Sequence, residues 1–195
     1  MGTHAIINFL VYAIVNAFTP GPGNILALNT VTNYGWRKGK KLFFGIFAGY
    51  YVVQTICAIF IYGLDEFLSP AMTVMKYFGV AYIVWLAIHI AISSPSKEND
   101  QSCASFWKGC ILQFVNVKIY LFGVTALSGY VVEHYTSLGM LLFFGIIIAT
   151  IGTIATSSWI LLGGLFQRTY TKYFRAINIV LALVLLECAW GMFVR

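Results

Sequence analysis

Apolar residues along this chain come in long runs, broken by short polar stretches. Six runs, near 5–30, 42–63, 71–92, 106–130, 138–162 and 176–194, each reach the roughly 20 residues that a helix needs to cross a hydrocarbon core. The pattern predicts an all-α membrane protein with six transmembrane helices in a single domain, residues 1–195. A hydrophilic linker at about 93–105 divides it into halves of about 1–93 and 105–195. Three spans per half make the halves enter the membrane from opposite sides, which is what an inverted repeat requires. The first run has no Lys or Arg ahead of its core and no small-residue cleavage pattern after it, so it is expected to be retained.

Composition agrees. Hydrophobic residues make up 60% of the chain and charged residues only 9%, far below the roughly 25% of a soluble domain. A net charge of +6 would point to nucleic acid in a soluble protein, but here the basic residues sort by loop. Arg37, Lys38, Lys40 and Lys41 lie between runs one and two, Lys97 and Lys108 around run four's start, and Arg168, Lys172 and Arg175 between runs five and six. The other loops hold Asp65, Glu66, Glu133 and His134, and Lys76 sits inside the start of run three. The positive-inside rule then places the basic loops in the cytoplasm and both termini outside. No nucleic-acid partner is expected. Cys57, Cys103, Cys110 and Cys188 form no CxxC pair and no metal-ligand spacing, so neither metal nor cofactor is expected.

The first run is interrupted by Thr19-Pro20-Gly21-Pro22-Gly23-Asn24, which cannot continue a helix. Irregular backbone at membrane depth survives only where protein buries it or where it lines a watery cavity. Run four is disturbed to match: Gln113-Phe114-Val115-Asn116-Val117-Lys118 puts an amide and an ammonium roughly 15–18 Å from its cytoplasmic end. Lys118 and Glu187 are the ionisable residues near mid-membrane, where a charge costs at least ~2.5–3.5 kcal/mol and marks a functional candidate. They could also pair and simply hold runs four and six together. The segment before the first break should end in free carbonyls around Asn16–Thr19, and the segment beginning near Asn24 should present free N–H groups. Those ends suit a zwitterion. Helix N–H groups and Lys118 would meet its carboxylate, and carbonyls with Asn116 or Glu187 its ammonium. Gln54, Gln113 and Asn178 read as interhelical hydrogen-bond glue. Gly45 and Gly49 read as close packing inside the bundle ahead of a homodimer contact.

Thr19-Pro20-Gly21-Pro22 with Asn24, the stretch Gly79-Val80-Ala81-Tyr82-Ile83-Val84-Trp85-Leu86, and Asn116-Val117-Lys118 together resemble the LysE/RhtB amino-acid exporters. The segments 113–118, 123–128 and 178–183 look closest to the cysteine/O-acetylserine exporter branch. The resemblance implies a non-enzymatic carrier in the bacterial inner membrane that expels small neutral amino acids in exchange for protons. From the breaks and the mid-membrane charges themselves, Thr19, Pro20, Gly21, Pro22, Asn24, Asn116 and Lys118 are the expected substrate-binding residues, and Glu187 the proton-coupling candidate. Val117 departs from the Pro of most members, Gly23 lengthens the first break by one residue, and Glu187 is not a family signature. Homoserine, threonine or leucine is the alternative cargo. A thiol-disulfide electron carrier would need a cysteine in each broken helix, and the first break has none.

Overall fold

The computed structural model describes residues 1–63, 77, 80–81, 84–85, 87–92, 105–165 and 172–194, with no strand among them. Most of run three, the linker, and Lys76, Lys97, Cys103 and Arg168 lie outside the described residues. Helix α1 spans Thr3–Phe18, and α2 spans Pro22–Gly63. Helix α3 spans Phe106–Val115, and α4 spans Val117–Ala126 and continues into a π-helical turn, Leu127–Val131. Helix α5 spans Leu138–Leu165, and α6 spans Phe174–Val194. The described residues are all helical, with apolar helices consistent with a membrane protein. By length and composition α2 and α5 are long and apolar enough to cross a bilayer, and α3 with α4 and its π turn, bent by 59° at the break, make a third such stretch if counted as one span.

The first break falls where proline chemistry puts it. Thr19 precedes Pro20 and takes an extended conformation (φ −59°, ψ 137°), the one open to a residue before proline. Pro22 then starts α2 at the first helical position, where a missing N–H costs nothing. The new helix begins two residues earlier than the Asn24 start expected from sequence. Gly23 is absorbed into its first turn, so the extra residue does not lengthen the break.

Runs one and two were expected to be joined by a polar loop. Instead α2 is two helical arms that meet directly at Gly35, the one residue with positive φ (73°) among those described. Only glycine takes that conformation without a steric penalty. The packing shows that the chain reverses there. In the first arm, 22–34, Asn24 meets Thr156, and Leu28 and Val31 meet Gly163, so this arm runs parallel to α5. In the second arm, 36–63, Tyr50 meets Gly152 and Gln54 meets Gly145, so it runs antiparallel. Arg37, Lys38, Lys40 and Lys41 occupy exposed positions on the first turns of the second arm.

Lipid tails are as apolar as leucine, so helices in a membrane associate through close van der Waals fit, which small residues permit. The second arm of α2 and α3 use this directly. A β-carbon on Gly45 would collide with the Phe106 carbonyl, and one on Gly109 with the Leu42 carbonyl. Gly49 faces Gln113, whose Cβ would lie 2.7 Å from an added Cβ. Gly45 and Gly49 are thus spent inside the bundle, as their spacing predicts. Large apolar side chains such as Ile7, Val11, Val15, Leu161 and Leu165 remain exposed on the outer faces of α1 and α5, where lipid would cover them.

The Gly45→Val protein should lose about 1–3 kcal/mol of stability, because the added methyls meet backbone that cannot turn aside. Gly164→Ala, where an added Cβ meets nothing within 4 Å, should change stability little. Thermal unfolding of both proteins in detergent checks the contrast.

Candidate functional site

The site grows from the end of α1. A helix leaves its last carbonyls without intrahelical partners, and in hydrocarbon no water replaces them. Here the four successive carbonyls from Ala17 to Pro20 all accept hydrogen bonds from side chains. Asn24 Nδ2 donates to Ala17 O at 3.0 Å and to Thr19 O at 3.3 Å. Trp159 Nε1 donates to Phe18 O at 3.2 Å. Lys118 Nζ donates to Thr19 O at 2.9 Å and to Pro20 O at 3.4 Å. Asn24 is itself fixed by Thr156, whose hydroxyl donates to Asn24 Oδ1 at 2.7 Å.

Lys118 reaches this point because run four breaks at Asn116 (φ −84°, ψ 89°). Asn116 occupies the N-cap position of α4 without a side-chain capping bond, which places Lys118 in the helix's first turn. A cation there opposes the positive end of the helix dipole. The negative end of α1 compensates, since its carbonyls receive the ammonium. Gly21 makes room: a Cβ on it would lie 3.0 Å from Lys118 Nζ.

Behind the lysine sits an amide chain. Gln113 Nε2 donates to Ile46 O at 3.4 Å, and Asn116 Nδ2 donates to Gln113 Oε1 at 3.5 Å. Gln113 also lies against Gly23, where an added Cβ would be 3.2 Å from Nε2. It therefore ties the end of α3 to both arms of α2. Asn116 Oδ1 is buried and has no hydrogen-bond partner. Gln54 Nε2 donates to Ile119 O at 3.2 Å, an interhelical role for that amide.

Asn16, Gly21, Asn24, Asn116, Lys118 and Phe122 line a cavity of ≈ 10 Å³, room for about one water molecule. An amino acid is several times larger, so its entry requires the walls to part. Of the residues expected from sequence, Thr19, Pro20, Gly21, Asn24, Asn116 and Lys118 come together here. Pro22 is buried at the start of α2 beside them. Glu187 lies on the exposed side of α6, and no ion pair joins it to Lys118 among the described residues. Asn178, on the buried side of α6, meets the Asn29 amide at 3.3 Å. Cys57 and Cys110 are buried and free, and neither lies at a break. Thr156 and Trp159 were missed from sequence. A hydroxyl in an apolar run usually bonds its own helix, and a tryptophan near a span end reads as an interfacial anchor, so neither residue carried a signal.

A family model described as LysE type translocator matches residues 14–194. The chain belongs to that family. Among the chain's relatives is the cysteine/O-acetylserine efflux protein of Escherichia coli K12, 42% identical over 187 residues, 95% of each chain. The protein of the same description from Shigella flexneri has the same identity and coverage. No solved structure matches the chain.

The Thr156→Val protein should lose about 1–3 kcal/mol, because Asn24 Oδ1 is left buried and unpaired. Combining it with Asn24→Ala should cost clearly less than the sum of the two single changes. A double-mutant cycle by thermal unfolding measures that coupling.

Proposed function

We propose that this chain exports small neutral amino acids, cysteine and O-acetylserine foremost, from cytoplasm to periplasm across a bacterial inner membrane. The observation that carries the reading is the contact of Lys118 Nζ with Thr19 O, in which two broken helices meet around a polar cavity. The 42% identity to cysteine/O-acetylserine efflux proteins over 95% of the chain supports the cargo. Carboxylate recognition falls to Lys118 with the N–H groups opening α2 and α4. Ammonium recognition falls to the carbonyls ending α1 and to Asn116.

Alternating access by an inverted repeat of six spans belongs to the same reading. It is supported by the matched breaks, at 19–21 and at Asn116. It is also supported by the opposed directions of corresponding spans, since the second arm of α2 runs antiparallel to α5. Positive loops on one side support a topology with both termini in the periplasm. Proton exchange is assigned to Glu187, the acidic residue of α6, which lies on the exposed side of that helix.

Cells overexpressing the protein should expel labelled cysteine or O-acetylserine faster than control cells, and an uncoupler should remove the gain. Lys118→Ala should abolish export by at least about tenfold, the size of one lost charge-assisted contact, while the protein still inserts. Wild-type export by that variant would refute the carboxylate role. Glu187→Gln should export without sensitivity to the uncoupler or not at all. Uncoupler-sensitive export at the wild-type rate would remove Glu187 from the mechanism.

A further inference from the structure

The carbonyls that suit a substrate's ammonium are already occupied by an ammonium. Lys118 Nζ sits 2.9 Å from Thr19 O and 3.4 Å from Pro20 O, at the negative end of α1. The cavity beside it has room for about a water molecule and no more. Asn116, one of the residues that line the cavity and only 2% exposed, has a buried Oδ1 with no hydrogen-bond partner. A buried acceptor without a donor is costly and calls for one.

We propose that Lys118 is an internal stand-in for the substrate's ammonium, and that a zwitterion binds by exchange with it. This deepens the transport reading and rests on it. A carboxylate accepts from an ammonium more strongly than a carbonyl does, so an incoming carboxylate draws Lys118 off Thr19 and Pro20. The substrate's own ammonium then takes the vacated carbonyls. Its three N–H donors match Thr19 O, Pro20 O and Asn116 Oδ1. One ammonium replaces another at the end of α1, so those carbonyls stay satisfied before and after loading. An amine without a carboxylate cannot evict the lysine and is repelled by it. An acid without an amine evicts the lysine and puts no ammonium in its place. Only a molecule carrying both groups completes the exchange.

The test compares cysteine with cysteamine, the same thiol amine without the carboxylate, binding to the purified full chain in detergent. Wild type should bind cysteine and bind cysteamine about tenfold or more weakly. In Lys118→Met the seat is open, so cysteine should weaken and cysteamine should bind more tightly than it does to wild type. Cysteamine binding that is unchanged or weaker in folded Lys118→Met overturns the exchange. A second measurement needs only the wild-type chain, by NMR of protein labelled with ¹⁵N-lysine. The Lys118 Nζ signal, assigned by its loss in Lys118→Arg, should move with saturating cysteine and stay put with cysteamine. A signal that stays put while cysteine is bound also overturns the proposal. Wild type that binds neither cysteine nor O-acetylserine defeats the transport reading instead, and the cysteamine gain in Lys118→Met still decides the exchange.

Discussion

A helix that stops inside a membrane must find donors for its last carbonyls, and everything at the centre of this protein answers that demand. Each carbonyl left bare in hydrocarbon would cost several kcal/mol. Four consecutive ones, Ala17 and Phe18 at the end of α1 and Thr19 and Pro20 just past it, are taken up by an amide, an indole and an ammonium. These donors come from three other parts of the chain: Asn24 from the start of α2, Trp159 from α5, and Lys118 from α4. The break therefore fastens the bundle together. The same carbonyls that make the first span unstable alone make it a junction in the folded protein.

Lys118 can serve that junction only if the two breaks lie at one level, and the glycines fix that level. Gly45, Gly49 and Gly109 let the second arm of α2 and α3 approach until backbone meets backbone. Gln113, wedged against Gly23 and Gly49, then locks the end of α3 to both arms of α2. The chain bends at Asn116 immediately afterwards, and Lys118 is delivered to Thr19 and Pro20. Packing by small residues, interhelical amides and one charge form a single sequence of dependence.

Much of this was legible in the residues because breaks and mid-membrane charges are loud signals. Proline and glycine at 20–23 announced the first break, and Asn116 with Lys118 announced the second. The quieter features are those in which a residue acts far from its own helix. Gly35 reads as an ordinary loop glycine, since nothing local tells a one-residue reversal from a longer turn. Trp159 and Thr156 have bland local explanations. Glu187 shows the limit of depth as a guide. It follows Asn178 by nine residues, which at about 100° per residue puts it on the opposite face of α6. Asn178, Leu181, Ala182 and Leu185 face inward, and Glu187 does not. Which side of α6 would face the bundle depends on its neighbours, and a hydropathy run does not reveal them.

The central claim is that an ammonium on α4 neutralises the broken end of α1. An experimental density map of the protein in lipid nanodiscs, free of amino acids, addresses it most directly. Lys118 Nζ should lie within about 3 Å of the Thr19 carbonyl, at hydrogen-bond distance. A lysine turned toward water or headgroups, with Thr19 and Pro20 bonded by other groups, would contradict the account.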